Sequence, residues 1–149
     1  MFKCNEMERL EEVVFYTLEK TIKSYRQFAQ RRFNEAGIYI TIDQWLVLGY
    51  ISEHGECYQH EIASAVFKDN ASVTRIIEIL VSSGFLVREV NAKDRRRYKL
   101  SVTTEGNDLI KRAKSVVKKY RTDALEGIEP EDVLAIRPVL DKMILNCGG

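Results

Sequence analysis

Between residues 8 and 34, apolar side chains recur at Leu10, Val13, Val14, Leu18, Ile22, Tyr25, Phe28, Ala29 and Phe33. Steps of three and four put them on one stripe, which predicts a long amphipathic helix. Gly37 follows as a stop. Thr41, with Gln44 three residues on, has the pattern of a capping box. It opens a second helix, IDQWLVLGYISEHG, ended by Gly55. A short third helix, QHEIASAVF, comes next, and KDN separates it from a fourth, ASVTRIIEILVSSG. Asp69 or Asn70 caps that helix and Gly84 terminates it. Two strand-like runs follow, FLVREV and YKLSV. In the second, Tyr98, Leu100 and Val102 alternate with Lys99 and Ser101. Thr103 then caps a long basic helix over about 104–126. Pro130 suits the first turn of a last helix that carries Val133, Leu134, Ile136, Val139, Leu140, Met143 and Ile144. Pro138 lies inside it and should kink it.

The predicted fold is mainly α with a small β-hairpin. Two strands alone are marginal, so the hairpin must lean on the helices before it. The first and last helices are apolar over a broad face and flank a compact middle. Chain ends of that kind pack against a second copy, which predicts a symmetric homodimer. The alternative is that both ends fold back on their own middle.

The length, 149 residues, fits one domain that buries roughly two-thirds of its unfolded surface. With 45% hydrophobic and 30% charged residues, the chain is globular rather than disordered. No apolar run reaches the roughly 18 residues of a membrane span. The start, MFKCNEMERLEE, lacks the basic-then-apolar build of a signal peptide. Cys4, Cys57 and Cys147 are odd in number and far apart, as expected of free thiols in the cytoplasm. The net charge is +1, so any case for nucleic acid must come from local clustering.

Such clustering exists. Between residues 88 and 99, Arg88, Lys93, Arg95, Arg96, Arg97 and Lys99 face only Glu89 and Asp94, a local charge of +4. The cluster falls on the turn between the two strand-like runs, directly after the fourth helix. In that helix Val73, Ile76, Ile77 and Leu80 form one stripe, while Ser72, Thr74, Arg75 and Glu78 lie off it. A helix that reads DNA needs this division: one face anchored in protein, the other carrying groups that reach base edges. Any amphipathic helix has a polar face, and most charge runs are merely solvated. Side by side, the two features have the layout of a winged helix. Arginine in the turn suits paired contacts to phosphate and a narrow minor groove. Asp94, two residues before Arg96, would pair with it and hold its aim.

The run VTRIIEILVSSGFLV, then DRR after six further residues, then TTEG resembles the signature of the MarR family of transcriptional regulators. The helix order on both sides matches as well, so the resemblance covers nearly the whole chain. It implies a single MarR-type domain over 1–149. Its winged helix-turn-helix lobe would span about 41–103, and 8–34 and 104–146 would be dimerisation helices. The resemblance further implies a homodimer on palindromic double-stranded DNA, usually a repressor, released by a small, often phenolic, molecule or by oxidation. By position, Asn70, Ser72, Thr74 and Arg75 match the recognition face. Asp94 and Arg96 match the wing pair, flanked by Lys93, Arg95 and Arg97. Gln59 and His60 match positions that approach the DNA backbone. One departure stands out: many relatives carry a cation four residues after Arg75, where this chain has Ile79. Either Ile79 turns toward protein or contact on that side is reduced.

Other chemistry finds little support. HGECYQH spaces His54, Cys57 and His60 in steps of three, but Gly55 interrupts the helix and the spacing fits no standard zinc pattern. There is no phosphate loop and no nucleophile elbow, so neither an enzyme nor a cofactor is expected. Tyr16, Tyr39 and Trp45 are candidates to line an effector pocket between the dimer helices and the DNA-binding lobe, although helical aromatics are more often core. Cys4 and Cys57 are candidate oxidant sensors, which requires a lowered thiol pKa. A winged-helix module that binds protein rather than DNA is the competing reading.

Overall fold

The computed structural model describes residues 9–90, 93 and 97–148, except the side chains of Val90, Arg97 and Tyr98. Within them a single 3-10 turn, Leu10–Glu12, precedes α1 (Val14–Glu35) and α2 (Ile42–His54). Next come β1 (Glu56–Tyr58), α3 (Gln59–Ala65), α4 (Asn70–Ser82), β2 (Leu86–Val90) and β3 (Arg97–Val102). The chain ends with α5 (Thr104–Ala124) and α6 (Pro130–Asn146).

Local chemistry explains most boundaries. The Thr41 hydroxyl accepts from Gln44 N, and the Gln44 side chain accepts from Thr41 N, a full capping box. Gly55 takes φ 66° and ends α2. The third helix stops at Ala65, earlier than its apolar pattern implies, because Phe67 adopts φ 57° and breaks the turn. The first helix begins at Val14 rather than residue 8, because Val13 is extended and separates it from the 3-10 turn. Helix α6 runs unbroken past Pro138.

The expected two-stranded hairpin is part of a three-stranded sheet. Its order is β1-β3-β2, antiparallel throughout, so β3 is central. Leu86 pairs with Val102 and Val90 with Tyr98 on one side; Glu56 pairs with Lys99 and Tyr58 with Arg97 on the other.

The core collects Phe33, Ile38, Leu48, Ile51, Ile62, Leu80 and Leu86, all nearly inaccessible. Each such side chain contributes about 1.5–3 kcal/mol by leaving water. Helix α5 lays Leu109, Ala113, Val117 and Tyr120 on this core. The Tyr120 ring meets those of Tyr25, Phe28 and Phe33 edge-on at 5.9–6.4 Å. Thr103 fastens the sheet to α5. Its hydroxyl donates to Gly84 O at 2.6 Å and accepts from Gly106 N at 3.0 Å, and its own N–H donates to Phe85 O at 3.1 Å. The Asp43 carboxylate bridges Arg26 of α1 and Lys68 of the α3–α4 turn.

The chain's two ends differ from this middle. Helix α6 has no buried residue, and Leu134, Ile136, Val139, Ile144 and Leu145 are all more than half exposed. Leu10, Val14, Phe15 and Ile22 are exposed at the start of the described chain.

Candidate nucleic-acid interface

Helices α3 and α4 carry the described part of the surface to which the sequence points. Asp69 starts α4. Its carboxylate accepts from Ser72 N at 2.8 Å and from the Ser72 hydroxyl at 2.7 Å. Those bonds hold the Asp69 carboxyl below its ordinary pKa, so it is ionised at the helix start. Val73, Ile77 and Leu80 are buried and anchor the helix. Asn70, Ala71, Arg75 and Glu78 are exposed, while Ser72, Thr74 and Ile76 are half-buried. Among the described residues, the side chains of Asn70 and Arg75 make no hydrogen bond or ion pair.

Gln59 does something its sequence position did not disclose. Its amide donates to Asn70 O at 2.6 Å and to the Thr74 hydroxyl, binding the start of α3 to the first turns of α4. His60 is exposed and stacks on Tyr58 at 5.2 Å. Ile79 is 40% exposed, so it does not turn into its own chain. At that position α4 presents a partly exposed apolar side chain.

In the wing, Lys93 is exposed. Asp94, Arg95 and Arg96, with the Arg97 side chain, lie outside the described residues, as does Cys4. At the wing's base, Lys99 pairs across the strands with Glu89 of β2 and Glu56 of β1, its ammonium 4.0 Å from the Glu89 carboxylate. Lys99 therefore adds less to the basic cluster than its place in the sequence implies. Glu56 was missed because β1 was not foreseen.

The three aromatics named for an effector pocket do not come together. A cleft of about 610 Å³ opens between α2, α5 and the end of α3. Trp45 and Tyr50 line it with Val66, and Lys114, Lys118 and Arg121 stand along its α5 wall. Tyr16 and Tyr39 take no part in it: Tyr39 is 85% exposed on the loop before α2, and Tyr16 lies near the start of α1. The cationic wall had a signal in the sequence, since steps of four and three put residues 114, 118 and 121 on one helix face.

Cys57 is buried in β1, and burial pushes its thiol pKa up, with Glu61 adding to the shift. That is the reverse of what a reactive thiol needs. Among the described residues, no cluster of His, Cys, Asp and Glu could hold a metal ion, so His54, Cys57 and His60 do not converge. No helix among them is long and apolar enough to cross a membrane.

A capped helix with one buried face, tied to a shorter helix and followed by a basic loop between strands, defines a winged helix-turn-helix protein. Residues 40–98 match the model of the MarR family. The HTH-type transcriptional regulator BilQ of Clostridium symbiosum is 25% identical over 121 residues, 81% of this chain and 83% of that protein. Two solved structures share the fold. BpsR of Bordetella bronchiseptica, whose DNA binding is regulated by 6-hydroxynicotinic acid, aligns with a TM-score of 0.82 at 23% identity, over 92% of this chain and 96% of that one. A mutant MarR from E. coli complexed with operator DNA aligns with a TM-score of 0.82 at 18% identity, over 92% and 99%. Residues 40–98 are thus similar to the MarR family, and the chain as a whole is similar to a transcriptional regulator and shares the winged-helix fold of solved structures of that type.

Proposed function

We propose that the protein is a cytoplasmic repressor that binds a palindromic operator as a homodimer and is released by a small ligand. The observation that carries this reading is the exposed start of α4, with Asn70 and Arg75 uncommitted among the described residues, in a chain whose β2–β3 loop is basic in sequence. The lobe at about 41–103 is the DNA-reading part. Arg96 enters a groove from the wing, with Lys93, Arg95 and Arg97 beside it, and Asp94 orients it. His60 faces the DNA backbone. The segments 8–34 and 104–146 supply the dimer contact. Support for that assignment is the apolar surface of α6, where Leu134, Ile136, Val139, Ile144 and Leu145 stay more than half exposed among the described residues.

Release fits the cleft. Its lysines and arginine on one wall, with Trp45 and Tyr50 opposite, suit a ligand with an apolar ring and a negative charge or phenolate. Such a ligand acts by preferring a dimer whose recognition helices are wrongly spaced; its effect is limited to its differential affinity for that state. Half-sites about 34–36 Å apart leave little tolerance for such a shift. The raised pKa of Cys57 favours a ligand over oxidation at that thiol.

Titrating a mixed pool of DNA duplexes against the protein at rising salt tests the reading. Measurable binding at low salt that falls steeply with salt is expected. No affinity at low salt refutes DNA binding and favours the protein-interaction reading, to which exposed Ile79 and Phe67 lend themselves. For the dimer, Leu134→Glu should sediment as a monomer with its helix content retained; a variant that still sediments as a dimer removes α6 from the interface.

A further inference from the structure

We infer that Thr74 reads the methyl group of a thymine, and that Gln59 is the positioning residue that makes it do so. The inference rests on the DNA-binding reading above. A threonine hydroxyl has one hydrogen to give and two lone pairs. The hydrogen of Thr74 goes to Asn70 O at 2.9 Å. Helical threonines often bond back in this way, and alone the bond leaves the hydroxyl free to turn toward a base. The bond from Gln59 removes that freedom. The Gln59 amide nitrogen donates both to the Thr74 oxygen and to Asn70 O, so the hydroxyl is held between its acceptor and a donor. What Thr74 has left to offer is its methyl group and a single lone pair.

Ser72 is committed as well, its hydroxyl hydrogen going to Asp69. The early turns of α4 thus carry fewer donors than their composition implies, and hydrogen-bond donation falls to Asn70 and Arg75. In the major groove the thymine C5-methyl is the one apolar mark on a base edge, and a threonine methyl is among the groups that contact it. Thr74 sits one turn from Asn70 on the same face and next to Arg75. An apolar reader therefore stands between two polar ones.

The test first selects duplexes from a random pool with the intact protein. In the selected duplex each thymine is then replaced in turn by deoxyuridine, which removes only the methyl. At one position or more, the parent should lose about fourfold in affinity per methyl removed. Thr74→Ser should bind the thymine and uracil duplexes alike, while Thr74→Val should keep the preference. Gln59→Ala should still bind, with a smaller thymine-to-uracil ratio, because the hydroxyl is free to turn; a merely structural Gln59 would lower both affinities and leave the ratio intact. Equal affinity of the parent for every uracil duplex overturns the inference, as does a preference that survives in Thr74→Ser. Failure to select any duplex overturns the DNA-binding reading and this inference with it.

Discussion

Gly106 lies in the first turn of α5, where helix propensity and packing oppose each other. Alanine is the better helix former by about 0.8–1.0 kcal/mol, so propensity alone makes Gly106→Ala stabilising. Packing argues the other way. A Cβ at this position would lie 2.3 Å from Phe85 O, 2.7 Å from Val102 Cγ1 and 3.2 Å from the Phe85 carbonyl carbon. The valine side chain can turn aside. The carbonyl oxygen is held by the Thr103 N–H at 3.1 Å and moves only by weakening that bond. Overpacking of this kind costs about 1–3 kcal/mol, and a lost hydrogen bond about 1 more. Taking about 3 kcal/mol for both and subtracting the propensity gain leaves a net loss of about 2 kcal/mol. For a chain of this size that lowers Tm by about 4–8 °C. Urea unfolding should show a lower midpoint with an unchanged slope. Protein concentration must be held fixed, since any self-association makes the measured stability depend on it. A variant as stable as its parent, or more so, would refute the close approach of α5 to the start of β2.

The remaining predictions concern charge. Partial burial raises the Asp43 pKa, but hydrogen bonds from Lys68 and Arg26 outweigh it and hold the carboxyl below its ordinary 3.8. A folded-state pKa below the unfolded one means stability present above the unfolded value and lost as pH falls through the folded one. The parent's urea midpoint should therefore fall more steeply below about pH 4 than that of Asp43→Asn, and parallel curves would count against the bridge. Burial, and next its neighbour Tyr25, push the Tyr120 phenol up to about 12. In an ultraviolet titration Tyr120→Phe should remove a late phenol; loss of one titrating near pH 10 instead would contradict the burial. Arg96→Ala should weaken DNA binding and flatten the salt dependence by about one unit if the contact is to phosphate; an unchanged slope and affinity would make the wing dispensable.

Much of the fold was legible because its signals are local. Thr41 and Thr103 each cap the helix their position announces, and of the two candidates Asp69 and Asn70 it is Asp69 that caps α4. Strand β1 escaped notice because three residues carry no readable alternation, and its partner β3 lies some forty positions away in the chain. At the site, the residue types on α4 were visible in the sequence, but their commitments were not. Nothing in the order of residues shows that Gln59 reaches Thr74, or that Lys99 sits between two glutamates. Tyr16, Tyr39 and Trp45 were grouped by chemistry alone, and their places in the fold separate two of them from the cleft. Lys114, Lys118 and Arg121 had the regular spacing to be found, yet their cationic character alone reads as a solvated face.

The central place of β3 also bears on how the molecule avoids associating wrongly. A sheet with free edges invites other strands to add to it, and proteins blunt such edges with brevity or charge. Here one edge is β1, only three residues long before the chain turns into α3. The other is β2, which carries the exposed ions Arg88 and Glu89 in its middle. Neither edge offers a long, uncharged row of backbone groups. The sheet that holds the wing can thus stay solvent-facing and ready for a partner while giving other chains little to extend.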